Sequence, residues 1–150
     1  MLSPAEAGCL RALAVFPGSF DMEGARAVNG VADSDALSTL ALLVDKSLVS
    51  AEADGERVTY RLMEMTRRYC LDRLLASGEH AEVCRRHAEH VCAVLERARS
   101  EWSQRPATEW GVAYGRIIDD LGSALAWTSR DGSANRALRT RLTLAGIPCR

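Results

Sequence analysis

The chain has little of what a phosphate- or nucleic-acid-binding protein usually carries. Lys46 is its one lysine, the other basic residues are arginine, and 19 basic against 20 acidic residues leave a net charge of −1. That balance provides no bulk attraction to nucleic acid or to an acidic membrane surface. No glycine loop precedes Lys46, which excludes a Walker A phosphate cradle within these residues. No apolar run reaches the ~20 residues of a bilayer span, and no basic segment followed by an apolar run opens the chain. No membrane partner is therefore read, and a cytoplasmic location is expected. The five cysteines, Cys9, Cys70, Cys84, Cys92 and Cys149, are odd in number and form no CxxC, so buried reduced thiols are expected in place of a disulfide framework.

What is present is a clear succession of local signals. Ser3-Pro4-Ala5-Glu6 is a capping box with proline at the first helical position, and Pro17-Gly18 stops that helix. A second start at Asp21, with Phe20 ahead of it, ends at Asn29-Gly30. A third helix is expected to bury Leu37, Leu40, Ala41 and Val44, and it is flanked by Asp33, Asp35 and Asp45 with Lys46. Asp54-Gly55 supplies a two-residue hairpin turn. After it Val58, Tyr60 and Leu62 alternate with Arg57, Thr59 and Arg61, the period of a half-buried strand. A fourth helix runs from about Glu64 to Ser77 with Cys70, Leu71, Leu74 and Leu75 inward, and Gly78 breaks it. Helix, strand, tight turn, strand, helix is the order of a winged helix. Its base-reading helix is here built from leucines.

From Glu79 the pattern changes. Cys84, Ala88, Val91, Leu95, Ala98 and Trp102 recur in steps of four and three, the narrow stripe of a long helix lying on one partner. Gln104-Arg105-Pro106 interrupts it. A further helix carries Trp110, Tyr114, Ile117, Leu121, Ala124 and Leu125 to about Asp131-Gly132, and a last one after Ser133 carries Leu138, Leu142 and Leu144. The fold class expected is mostly α, with a boundary near Gly78: a winged helix over 1–78, then antiparallel helices over 79–150. Two helical hairpins cannot bury both faces, so an array would need more repeats than these.

Five strings in order carry a family resemblance: LSPAEAGCLRALAVFPGSFDMEGARAV, LSTLALLVDKSLV, YRLMEMTRRYCLDRL, RRHAEHV and IDDLGSALAW. Together they resemble the region of bacterial STAND-class (NB-ARC/LuxR-type) ATPase transcriptional regulators that follows the ATPase module. That region is a winged helix and the first helices of a tetratricopeptide-like sensor array. The resemblance implies that the winged helix binds no DNA and packs on a nucleotide-binding domain to hold a closed, ADP-bound state. In relatives of that kind a His-Asp pair at the start of the helix after the wing senses the β-phosphate. Met63 and Glu64 stand there in this chain, and a thioether cannot donate a hydrogen bond to phosphate. Since Ile147-Pro148-Cys149-Arg150 falls where the array would continue, the chain is expected to be a fragment.

Several sharper patterns weaken on inspection. Cys84, His87, His90 and Cys92 invite a metal, but a closed zinc site needs four converging ligands and Cys92 points away from His90 on one helix. No group orients a Cys/His nucleophile. Adjacent Asp119 and Asp120 diverge by about 100° and cannot work as an acid/base pair; solvation or packing on a neighbouring repeat is expected of them. Arg67, Arg68, Arg73, Arg85 and Arg86 form a candidate basic patch that Glu64, Asp72, Glu79, Glu82 and Glu89 largely neutralise.

The expected function is thus a non-catalytic coupling module without cofactor or metal. Tyr60, Arg61, Glu64, Arg67 and Arg68 would face the NTPase domain. The alternative is a free-standing winged-helix DNA-binding regulator, disfavoured by the leucine-filled third helix and by Glu52, Asp54 and Glu56 in the wing. A third reading is a scaffold that forms homo-oligomers through the 84–102 stripe.

Overall fold

The computed structural model describes residues 3–29, 33–54, 57–101, 117–130 and 136–146. The chain divides into two compact units, Met1–Arg86 and His87–Arg150. Gly78, where the sequence places its boundary, lies within the first.

The first unit contains α1 (Pro4–Leu13), α2 (Met22–Asn29), α3 (Asp33–Asp45), β1 (Val49–Asp54), β2 (Arg57–Leu62) and α4 (Glu64–Ser77). The helix starts follow the local chemistry. Ser3 Oγ accepts the Glu6 N–H at 3.1 Å, and Asp21 Oδ1 accepts the Gly24 N–H at 2.8 Å. Gly78 closes α4 at φ 80°, a left-handed cap that glycine adopts without a Cβ penalty. α3 ends less comfortably. Ser47 takes φ 62°, with its N–H on Val44 O at 2.9 Å and the Leu48 N–H on Leu43 O at 3.1 Å, a Schellman motif without glycine.

β1 and β2 pair antiparallel from Val49↔Leu62 to Asp54↔Arg57. Gly55 of the expected turn lies outside the described residues. Sequence reading missed a third, one-residue strand: Phe20 and Tyr60 exchange backbone hydrogen bonds of 2.9 and 2.8 Å. Their rings stand 6.1 Å apart, and Phe16 stacks on Phe20 at 4.8 Å. Leu10, Leu13, Phe16, Phe20, Leu40, Leu43, Leu62 and Leu74 fill this core. Each large side chain so buried is worth roughly 1.5–3 kcal/mol against exposure.

Two expected faces are corrected. α3 buries Ala36, Leu40 and Leu43, while Leu37 and Ala41 face solvent and Val44 is half-buried. Leucines at 37, 40, 42 and 43 make several helical phases equally apolar, so the sequence alone cannot choose among them. On α4, Cys70 and Leu74 are buried, but Leu71 is only half-buried and Leu75 is exposed.

α5 (His80–Glu101) continues into the second unit, which also holds α6 (Ile117–Arg130) and α7 (Arg136–Gly146). α5 buries Cys84, Ala88, Val91, Leu95 and Ala98 as the spacing requires, and also His87, Cys92 and Val94. The covered face is therefore wider than a coiled-coil seam. Ile117, Ala124 and Leu142 complete the core of the second unit, with Leu121, Leu125 and Leu138 at its margin. Trp102, the 104–106 break, Trp110, Tyr114, Asp131-Gly132, Ser133 and 147–150 lie outside the described residues, as does the Leu144 side chain.

Candidate functional site

In a winged helix the second helix of the helix-turn-helix presents its outer face to a ligand. Here that helix is α3, and its exposed residues are Leu37, Ser38, Ala41, Leu42 and Asp45. Leu37 is 55% and Leu42 45% exposed. No Lys or Arg occurs anywhere in Asp33–Asp45. Lys46, just beyond, bonds the Glu6 carboxylate at 2.5 Å. The same contact, chiefly as a hydrogen bond, lowers the Glu6 pKa from its ordinary value. Among the described side chains this face offers apolar surface and the Asp45 carboxylate, and nothing that would neutralise a phosphate.

The junction between β2 and α4 is differently built. Met63 takes an extended N-cap conformation (φ −62°, ψ 144°), makes no side-chain cap bond and is 58% exposed. Glu64 is exposed in the first turn, where the helix dipole favours a negative charge. Tyr60 is half-buried, its backbone engaged by Phe20. Arg67 turns inward and donates its Nε hydrogen to the Phe16 carbonyl at 2.8 Å. Arg61 and Arg68 are exposed. Of the five residues expected to meet a partner domain, Arg61, Glu64 and Arg68 thus present free surface, while Tyr60 and Arg67 are engaged within the unit.

The candidate basic patch separates in the same way. Arg85 and Arg86 both pair with Glu82, at 2.5 and 3.3 Å. Arg86 also lies 3.5 Å from the Val28 and Asn29 carbonyls at the end of α2. Arg68 and Arg73 are exposed. Among the described residues no ion pair engages them.

A cleft of about 680 Å³ opens in the first unit, lined by the small residues Ala5, Gly8, Cys9 and Ala12 together with the charged Arg11, Glu79, Glu82 and Arg86. Burial pushes the pKa of its Cys9 thiol up to about 11, which disfavours the nucleophilic thiolate at neutral pH. No acid/base or nucleophilic set converges there.

In the second unit His87 Nε2 lies 3.2 Å from Asp120 Oδ1, and both residues are almost wholly buried. Of the two expectations for this acidic pair, solvation describes the exposed Asp119, and packing on a neighbouring helix describes the buried Asp120. The partners are 33 residues apart, and no local pattern pairs them. Cys84 Sγ lies 3.4 Å from His80 Nε2, one helical turn away. Among the described residues no group of three or more His, Cys, Asp or Glu is placed to hold a metal. No described helix is long and apolar enough to cross a membrane.

Residues 2–75 match the family of winged helix-turn-helix domains. A Mycobacterium tuberculosis protein provisionally named an HTH-type transcriptional regulator is 36% identical over 157 residues, covering 98% of this chain and 17% of that protein. A Mycobacterium bovis protein of the same kind of name matches to the same extent. An uncharacterised Mycobacterium tuberculosis protein is 42% identical over 96 residues, 61% of this chain and 24% of its own length. The chain spans 17% of the first of these relatives. No solved structure gives a significant match.

Proposed function

We propose that this winged helix-turn-helix chain is a module of a transcriptional regulator, and that it acts there through protein contacts and not by reading bases with α3. The regulator assignment rests on the domain match and on the relatives' names. The mode of action rests on one observation: α3 turns Leu37, Ala41 and Leu42 outward and carries no basic residue. Burying that apolar face against protein is favourable, whereas laying it in a groove lined with phosphates neutralises no charge.

In the finer form of this reading the regulator is a STAND-type ATPase. The winged helix packs on its nucleotide-binding domain through α3 and the β2–α4 junction, with Arg61, Glu64 and Arg68 at the contact. The second unit opens a tetratricopeptide-like sensor array. Signal binding must then favour the released state over the packed one, since a ligand that binds both equally shifts nothing. Met63 takes no part in phosphate sensing in this scheme.

A second reading, direct DNA binding by a free-standing regulator, is supported by the match to winged helix-turn-helix domains and by the relatives named as HTH-type transcriptional regulators. Arg61, Arg68 and Arg73 are its available phosphate contacts, on β2 and α4. Selection of the chain against a random duplex library separates the two. The protein-contact reading expects no enriched sequence, and recovery of a defined site would replace it with the second.

A further inference from the structure

The outer face of α4 carries a second, independent pattern. Met65, Tyr69, Asp72 and Ala76 follow one another in steps of four, three and four, all exposed. Met65 is 79% and Tyr69 65% exposed, the largest exposures among the big apolar side chains described. Steps of four and three keep residues on one line along a helix, and a line of that period is what a single partner helix covers. Cys70 and Leu74 lie on the opposite side and hold α4 to its own core. The outer line therefore adds nothing to the fold of this unit.

Charge defines the partner further. Arg68 and Arg73 stand five residues apart, about 140° around the helix, which places them on the two flanks of the line. Arg11, Arg85, Arg86 and Arg141 each have a carboxylate within 4.0 Å. Arg68 and Arg73 have none among the described residues. The nearest charge on each flank is thus positive and without an ion pair among the described residues, with the exposed Glu64 one turn before Arg68 and Asp72 as a single acid within the line.

We infer that α4 docks one amphipathic helix of a partner protein, with apolar residues against Met65 and Tyr69 and carboxylates on both flanks against Arg68 and Arg73. This deepens the protein-contact reading above and rests on it.

The test uses the whole chain and two synthetic helical peptides with leucine at their a and d positions. One carries glutamate at the flanking e and g positions, the other lysine, and a short DNA duplex serves as a third titrant. The glutamate peptide is expected to bind at least roughly tenfold tighter than the lysine peptide. Met65→Ser with Tyr69→Ser weakens it by roughly tenfold or more, and Arg68→Gln with Arg73→Gln removes the preference between peptides. These positions are exposed, so unchanged circular dichroism verifies the fold in each variant. Equal affinity for both peptides, no binding of either, or indifference to the Met65 and Tyr69 changes overturns the inference. So does a dimer of the chain that Met65→Ser dissolves, since the occupant is then a second copy. Tight duplex binding contradicts the protein-contact reading itself and is scored separately from the peptides.

Discussion

Arg67 donates its Nε hydrogen to the carbonyl of Phe16 at 2.8 Å, joining α4 to the turn that follows α1 across 51 residues of sequence. Carbonyls past the last turn of a helix lack intrahelical partners, and the dipole there favours a cation. Arg67 is a tie inside the first unit, unlike its exposed neighbour Arg68. Arg67→Ala is expected to lower stability by about 1–2 kcal/mol in urea unfolding, and Arg68→Ala to change it by less than about 0.5 kcal/mol. Equal effects at both positions would contradict the assignment.

Ser47 and Gly78 occupy the same left-handed region, at φ 62° and 80°. Ser47→Gly is expected to raise stability by about 0.5–1 kcal/mol, and Gly78→Ala to lower it by about 1 kcal/mol. A Cβ at Gly78 would meet nothing within 4 Å, so that effect comes from the backbone alone. Thermal unfolding of both variants checks the pair. A stabilised Gly78→Ala would show that the cap is not left-handed.

His87 and Asp120 tie α5 to α6 inside the second unit at 3.2 Å. Removing the acceptor from a buried hydrogen bond costs about 1–3 kcal/mol, more than adding an apolar contact in its place returns. Asp120→Ala should therefore destabilise the second unit by that amount. A double-mutant cycle with His87→Ala should show coupling above about 1 kcal/mol. Strict additivity would mean that the two side chains do not interact.

Burial raises the Cys9 and Cys92 pKa values from the ordinary 9.0 to about 11. In the unfolded chain these thiols ionise first, so the folded state holds more protons above pH 9. The stability they contribute is complete below about pH 9 and is lost as pH rises from about 9 to about 11. Urea midpoints measured across that window should fall with pH, and Cys9→Ala with Cys92→Ala should flatten the slope. A slope that both substitutions leave unchanged would refute this origin.

Much of the first unit was legible because its signals are local. Ser3, Asp21 and Gly78 act on backbone groups two to four residues away, and the alternation of β2 is written in consecutive residues. The phase of α3 was not legible, because leucine occurs on several of its faces. Nor were Phe20 with Tyr60, Arg67 with Phe16, or His87 with Asp120, since each pair is distant in sequence and shows no periodicity. The same limit applies to the candidate site. At the junction Arg61, Glu64 and Arg68 are exposed, while Arg67 bonds a backbone oxygen, an acceptor that side-chain chemistry does not reveal.

The most direct test of the central claim is fluorescence anisotropy of a labelled duplex titrated with the chain at several salt concentrations. With no basic residue on α3 and a net charge of −1, the protein-contact account predicts no saturable binding below micromolar at physiological salt. Salt-sensitive, sequence-selective binding below micromolar, lost on Leu37→Glu with Leu42→Glu, would contradict it and make α3 a base-reading helix.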